Sequence, residues 1–205
     1  MRGRQDAQAV ERAGLRLKLL KQQAVAGDII LLFEDESEAL THPYLAYVWA
    51  KPGADLRIPA PGQAKRRAIL GVLDSARRRM LVETSTTKHS TDFIALLERL
   101  DDVYGPRPGG PDKPVVMVID NGPIHTSKAS TAALAARAWL TPEWLPKYAP
   151  ELNDMENGWR DLKQHFLAHQ TFDTAEALDD EIHHAISAMN KERANQMFPK
   201  LRIAA

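Results

Sequence analysis

The chain has 205 residues, of which 44% are hydrophobic and 26% are charged, and it contains no cysteine. These values are typical of a globular protein with one sizeable core or two small ones. The lack of cysteine excludes disulfides, zinc–thiolate sites and thiol catalysis. Lysine plus arginine equals aspartate plus glutamate at 27 each, whereas a dedicated DNA-binding domain usually has a basic excess. The longest apolar runs are strand-length and the N-terminus has no signal-peptide core, so we expect a cytoplasmic protein.

The first half of the chain predicts one helix and up to four strands. The helix spans residues 5–26 and ends at Gly27. A continuous apolar run predicts a strand over 28–34 that is buried on both faces. A short strand is expected near Tyr47-Val48-Trp49, followed by an exposed loop over 54–64. Residues 68–74 and 80–84 then predict a hairpin.

The second half alternates between helices and strands. Ser90-Thr91-Asp92 is expected to cap a helix, and residues 115–119 predict a buried strand. A helix from Thr126-Ser127 to about Ala138 and a strand over 139–145 follow, and the last helices are predicted at 153–169 and 174–191. This order predicts an α/β fold: a single mixed sheet with helices packed on both faces.

Three carboxylates stand where a metal site is expected. Asp35 and Asp120 each follow an apolar run, and Glu156 lies in the first turn of an amphipathic helix. Carboxylates that converge at buried strand ends repel each other unless a cation joins them, and hard oxygen ligands suit Mg²⁺ or Mn²⁺. Two such ions about 4 Å apart can activate an attacking oxygen and stabilise a leaving oxygen in phosphoryl transfer. In that arrangement Asp35 bridges the two ions, and Asp120 and Glu156 flank them.

Each carboxylate also has a plainer interpretation. An aspartate at a strand end is often a turn or cap residue, and Asn153-x-x-Glu156 resembles a capping box in which the glutamate binds its own helix terminus. Trp49 and Trp159 are interpreted as packing residues. His165, His183 and His184 have no ligand spacing to any acid and are expected at the surface.

The three acidic segments together resemble a known family. Phe33–Ser37, Ile119–His125 and Leu145–Glu156 are similar to the three acidic blocks of mariner-type DDE transposases, in particular the bacterial insertion-sequence family usually numbered six-thirty. The resemblance runs from about Gly27 to about Ala188, and Glu156 lies 36 positions after Asp120, close to the family's spacing. Asp154 stands where the family commonly has proline.

The resemblance implies a ribonuclease H-like fold in which Asp35, Asp120 and Glu156 hold two Mg²⁺ or Mn²⁺ ions. It implies cleavage of DNA at terminal inverted repeats and attack of the freed 3′ hydroxyl on target DNA at TA dinucleotides. A homodimer on DNA, associated with the nucleoid when active, is expected. Candidates to support the metal ligands or to contact DNA are Glu36, Asn121, His125, Lys147, Tyr148, Arg160 and Lys163. A structural role for Glu36 and a helix-capping role for His125 are equally open.

The resemblance also gives a domain organisation. Residues 1–26 are expected to be a connecting helix from a missing N-terminal helix-turn-helix region, 27–192 the catalytic domain, and 193–205 a C-terminal tail. The missing region would be separately encoded or removed by truncation. Two alternatives remain: a ribonuclease H-like nuclease without strand transfer, and a non-catalytic transposase remnant that serves as a DNA-binding or assembly module.

Overall fold

A computed structural model describes residues 5–60, 62–108 and 112–197. Within these ranges one five-stranded sheet has the strand order β3-β2-β1-β4-β5. Strands β1, β2 and β3 pair antiparallel, whereas β1, β4 and β5 pair parallel. The strands are β1 Ile30–Leu40, β2 Arg66–Asp74, β3 Arg79–Ser85, β4 Val115–Ile119 and β5 Leu140–Trp144. The predicted hairpin is confirmed as β2–β3, and β1 and β4 are neighbours.

The helices connect and cover this sheet. They are α1 Ala7–Ala26, α2 Ser90–Tyr104, α3 Pro123–Thr126, α4 Lys128–Ala135, α5 Met155–Asp161 and α6 Ala175–Met197. Helix α1 begins after Asp6, whose carboxylate accepts from two backbone N–H groups of the first turn. It ends at Gly27 (φ 84°), a left-handed conformation that glycine adopts without strain. A 3₁₀ turn, Pro150–Leu152, precedes α5, and a π-helical turn, Leu162–Phe166, follows it.

Apolar side chains form a core on each face of the sheet. Along β1, Leu31 and Phe33 pack with residues of α1, α5 and α6, whereas Ile30 and Leu32 pack with residues of α2 and α4. This alternation follows from the two-residue period of a strand. The predicted mixed sheet with helices on both faces is confirmed. In the described part of the chain, no helix combines the length and apolar character needed to cross a bilayer.

The prediction that β1 ends at residue 34 is wrong. β1 runs to Leu40, and its pairing with β2 continues from Leu32 to Leu40. Its pairing with β4 stops at Phe33 opposite Val118. The acidic residues interrupt the apolar run but not the backbone ladder, since β2 supplies hydrogen-bonding partners throughout. Asp35 therefore lies within β1, at the level where the neighbouring strand β4 ends.

Other boundaries also differ from the prediction. The expected strand at Tyr47-Val48-Trp49 is absent from the described residues: 45–60 form no regular secondary structure, and Tyr47 and Trp49 are fully exposed. Trp49 is therefore not a packing residue. The helix predicted over 126–138 is shorter in the structure, where α4 covers Lys128–Ala135 and Ser127 caps it. The short helix α3 precedes it in a segment predicted to be irregular. Pro61, in the predicted exposed loop, lies outside the described residues.

Helix α6 extends past the predicted domain end. It continues to Met197, so residues 193–197 of the predicted tail are helical. Residues 198–205 of that tail, and residues 1–4 of the predicted connecting helix, lie outside the described part of the chain.

Candidate active site

Asp35, Asp120 and Glu156 line one cavity of about 420 Å³. β1 and β4 are parallel neighbours in which Phe33 pairs with Val118. When this register is continued by two residues along both strands, Asp35 comes level with Asp120. Glu156 comes from the first turn of α5, which packs over β1 and β2. The rest of the cavity lining comes from residues 121–123 after β4 and from the loop that precedes α5, namely 145–150 and Asn153.

The capping box considered for Glu156 does not form. The Asn153 N–H donates to the carbonyl of Pro150, and α5 has no side-chain cap hydrogen bond. Instead, the Asn153 side chain accepts from the Met155 N–H (3.1 Å) and donates to the carbonyl of Glu34 (2.7 Å). Asn153 thus ties the start of α5 to the backbone beside Asp35, while the Glu156 side chain faces the cavity.

Asp35 is half-buried among like charges. Burial, followed by the charges of Glu156 and Glu34, raises the pKa of Asp35 to about 8. Its Oδ2 accepts a hydrogen bond from the indole Nε1 of Trp159 at 3.0 Å. The predicted packing role of Trp159 is confirmed, since only 3% of the residue is exposed, but the indole also has this polar contact.

Asp120 is held by two donors. Its Oδ1 lies 2.8 Å from Nδ1 of His125 and 2.6 Å from the N–H of Gly122. The hydrogen bond with His125, opposed by burial, holds the pKa of Asp120 below its ordinary value. A Cβ at Gly122 would lie 2.8 Å from Oδ1, so glycine permits this tight turn. Asp120 is therefore an ionised carboxylate of fixed orientation.

Glu34, Glu36 and His125 form a second, buried cluster behind Asp120. Their ligand-type atoms lie within 4.8 Å of one another, a grouping that could hold a metal ion. His125 Nε2 lies 3.0 Å from Glu34 Oε2 without the alignment of a hydrogen bond. Burial alone would lower the pKa of His125, but Glu34 and Asp120 raise it to about 11. We interpret the cluster as an ion-pair network, since both ring nitrogens of His125 face carboxylate oxygens, Nε2 that of Glu34 and Nδ1 that of Asp120.

Glu36 belongs to this cluster and not to the group around Asp35. Alternation along β1 turns Glu34 and Glu36 away from Asp35. Burial and the charge of Glu34 raise the pKa of Glu36 to about 7. His125 lies inside α3 and does not cap it; its ring instead packs edge-on against Phe93 at 4.7 Å between centroids.

The remaining candidates differ in their distance from the cavity. Asn121, Lys147 and Tyr148 line it, and Asn121 also donates to the carbonyl of Leu145. Tyr148 has a φ of 62°, unusual for a bulky side chain. Lys163 is half-buried over the ring of Tyr44, with burial lowering its pKa. Of the residues outside the cavity lining, Arg160 donates to Asn157, and His165, His183 and His184 are exposed, as expected.

Three residues with polar contacts at the site were not predicted as site residues: Glu34, Asn153 and Trp159. Asn153 and Trp159 lie three residues before and three residues after Glu156, but capping and packing are the ordinary explanations of such residues. Glu34 precedes Asp35 by one residue, and the two-residue period of a strand turns its side chain to the other face of the sheet. Its pairing with His125 depends on the tertiary placement of α3, which local sequence does not reveal.

Comparisons with known proteins identify the family of the chain. Residues 30–179 match the family described as DDE superfamily endonuclease. The insertion element IS630 uncharacterized 39 kDa protein of Shigella sonnei is 27% identical over 132 residues, which cover 64% of this chain and 37% of the relative. The chain thus spans little more than a third of that curated relative.

Solved structures share the fold. The Mos1 mariner paired-end complex with Mn has a TM-score of 0.64 at 18% identity, with 94% of this chain and 60% of that chain covered. The catalytic domain of Mos1 mariner transposase has a TM-score of 0.54 at 17% identity, and the match covers 92% of this chain and 91% of that chain.

The sheet order and the helices on both faces define a ribonuclease H-like fold. The family match includes all five strands of this sheet and all three acidic segments. The chain belongs to the DDE superfamily endonuclease family.

Proposed function

We propose that this chain is the catalytic domain of a DDE transposase, which cuts DNA at the ends of an element and joins the freed 3′ ends to target DNA. The observation that carries the proposal is the convergence of Asp35, Asp120 and Glu156 on one cavity in a chain of the DDE superfamily endonuclease family. The three residues come from separate elements, β1, the loop after β4, and α5, so only the fold brings them together.

The donor set fits two Mg²⁺ or Mn²⁺ ions. All three ligands are carboxylates, and hard divalent cations prefer oxygen ligands. The raised pKa of Asp35, caused by burial and then by Glu156, is the signature of a site whose carboxylates carry more negative charge than their surroundings compensate. When bound, the ions would activate the attacking oxygen and stabilise the leaving oxygen of the phosphodiester. Asp35, Asp120 and Glu156 would hold them.

The chain's own residues then have distinct roles. Asp120 is kept ionised and oriented by His125 and the Gly122 N–H. Asn153 fixes the start of α5, and with it Glu156, against β1. Lys147 and Tyr148, at the rim of the cavity, would contact the sugar–phosphate backbone, as would Lys163 and Arg160. Such contacts position DNA without reading its sequence.

The proposed partners are DNA and a second copy of the chain. Solved Mos1 structures include a paired-end complex with the left transposon end and a strand transfer complex, which supports terminal repeats and target DNA as substrates here. A homodimer on DNA, nucleoid association and a helix-turn-helix region supplied outside this chain follow from the same family resemblance. Within the chain, we assign residues 27–192 to catalysis and α1 to the connection with that region.

A strand-transfer assay tests the proposal. The purified chain is given a pre-cut element end, a supercoiled target and Mg²⁺ or Mn²⁺, with the helix-turn-helix region supplied in trans or fused. Joining of the 3′ end, abolished in Asp35→Asn, supports a transposase. Cleavage without joining would identify a nuclease, and a chain that binds DNA but does neither would be a non-catalytic remnant.

A further inference from the structure

We infer that Trp159 is a positioning residue for Asp35: its indole N–H fixes the carboxylate in the orientation that the metal site requires. The inference rests on the proposed function, because it assigns Trp159 to the metal ligand Asp35. The carrying observation is the part-buried hydrogen bond, 3.0 Å long, from Nε1 of Trp159, a core residue, to Oδ2 of Asp35 at the cavity.

The bond determines the direction of the whole carboxylate. A carboxylate is planar, so fixing one oxygen and the Cβ–Cγ bond also fixes the other oxygen. Trp159 cannot rotate away, since only 3% of it is exposed and it packs in the core beneath α5. An indole nitrogen is a donor only, so it does not accept a proton from Asp35 or compete for a cation.

The fold provides space for this contact at one point. Gly71 of β2 pairs directly with Asp35 across the β1–β2 ladder. A Cβ at Gly71 would lie 2.8 Å from Cη2 of Trp159 and 2.7 Å from Cε of Met155. The indole ring therefore lies over the glycine, a position that a side chain at residue 71 would obstruct.

The same helix links two of the metal ligands. Glu156 and Trp159 are three residues apart in α5, so they lie on neighbouring positions of one helix face. When α5 docks on the sheet, it delivers the Glu156 carboxylate to the cavity and the Trp159 donor to Asp35 together. Trp159 thus couples the orientation of Asp35 to the placement of Glu156.

The chain offers a matched control. Trp139 Nε1 also donates to a carboxylate, Asp101 Oδ1 at 3.2 Å, but this pair lies outside the cavity lining. Trp139→Phe therefore removes the same kind of hydrogen bond without touching the site. At position 159, Trp159→Phe removes the donor, and benzothienylalanine removes it while keeping a bicyclic ring of nearly the same shape.

The experiment measures Mn²⁺ binding to the full chain by calorimetry, without DNA. We expect both position-159 variants to bind Mn²⁺ about 10-fold or more weakly, as is general when the hydrogen-bond partner of a metal ligand is removed, and Trp139→Phe to bind normally. In ¹H–¹⁵N spectra, Mn²⁺ should broaden the Trp159 indole signal far more than that of Trp139. Asp35→Ala without metal should shift only the Trp159 signal.

The outcomes separate this inference from the proposed function. Normal Mn²⁺ affinity in the benzothienylalanine variant, beside weak binding in Asp35→Asn, would overturn the positioning role and leave the metal site intact. Equal Mn²⁺ affinity in Asp35→Asn and the unmodified chain would instead show that Asp35 is not a metal ligand, and both proposals would fail.

Discussion

His125 and Asp120 are joined by a 2.8 Å contact between Nδ1 and Oδ1, and the opposite nitrogen of the same ring faces the fully buried Glu34 at 3.0 Å. The imidazolium thus compensates one carboxylate on each side. Its removal leaves Glu34 as a buried charge without a partner, and breaking a buried pair in this way costs about 3–5 kcal/mol.

We therefore expect His125→Ala to lower the free energy of unfolding by an amount in that range, and His125→Ala with Glu34→Gln to recover part of the loss. His125→Ala and the double variant leave the same space where the imidazole ring was. The difference in their free energies of unfolding therefore isolates the effect of the unpaired Glu34 carboxylate. Urea unfolding of the two single variants and the double variant measures the coupling. A double variant no more stable than His125→Ala would show that Glu34 and His125 are not coupled as an ion pair.

Asp35→Asn should stabilise the metal-free protein in a pH-dependent way. The folded-state pKa of Asp35 is raised from 3.8 to about 8, first by burial and then by Glu156. Between these values the folded state holds a proton that the unfolded state has released, so stability falls as pH rises through this window. Asparagine removes this cost and keeps an acceptor for Trp159.

The expected difference in melting temperature between Asp35→Asn and the unmodified chain is therefore near zero at pH 4 and grows up to about pH 8. One pKa unit corresponds to about 1.4 kcal/mol, so the rise from 3.8 to about 8 limits the gain at pH 8 to about 6 kcal/mol. Because Asp35 is only half-buried, solvent screening reduces the expected gain to about 1–3 kcal/mol. Thermal melts in EDTA across this range provide the measurement. Excess Mn²⁺ should reverse the order of stability, since the unmodified chain alone keeps all three ligands. A constant difference at every pH would contradict the assignment to Asp35.

Glu156→Gln should abolish both cleavage and joining while leaving the fold intact. The glutamate makes no cap contact in α5, so neutralising it costs the helix little and relieves repulsion with Asp35. The matched control is Glu151→Gln, five residues earlier in the same segment. The Glu151 carboxylate accepts a hydrogen bond from the Gln5 side chain and does not line the cavity. The assay is strand transfer from a pre-cut end. Near-normal joining by Glu156→Gln would remove this glutamate from the proposed metal site.

The sequence predicts the sheet and the acidic positions well because both depend on local patterns. The apolar run Val115–Ile119 and the hairpin β2–β3 are visible in composition alone. The length of β1 is not visible in the sequence, since the polar residues from Glu34 onward resemble a strand end. Whether such a segment stays extended depends on β2, which pairs with it through Leu40.

The contacts that orient the carboxylates are the least predictable part of the site. Trp159 in the core and Asn153 near a helix start each have an ordinary structural explanation within their own segment. Their polar partners, Asp35 and the Glu34 carbonyl, lie more than a hundred residues away in the chain. Such pairings depend on how α5 docks on the sheet, and docking is set by the whole core.

Lys147 and Lys163 should contribute to DNA affinity without sequence preference. Lys147 is exposed at the cavity rim, and Lys163 lies close enough to Asp35 and Glu156 for their charges to act on its pKa. Removing one lysine–phosphate interaction should reduce the slope of log K against log salt by about 0.9. Binding of random and terminal-repeat duplexes by Lys147→Ala and Lys163→Ala, with Lys191→Ala on α6 as the control, gives the slopes. A variant that weakened only repeat binding would show base recognition and contradict a backbone role.

Gly71→Ala should destabilise the protein and weaken the site together. The added Cβ would lie 2.7–2.8 Å from Met155 and Trp159 and 3.0 Å from Val82, so α5 must shift away from β2. Overpacking of this kind costs about 1–3 kcal/mol. Gly14→Ala is the control: in helix α1 its Cβ would meet only Leu152, at 3.8 Å, and alanine favours a helix by about 1 kcal/mol. Thermal melts should therefore move in opposite directions for the two variants, and Mn²⁺ affinity should fall in Gly71→Ala alone. A destabilised Gly71→Ala with unchanged Mn²⁺ affinity would mean that the position of α5 over β2 does not control the metal ligands.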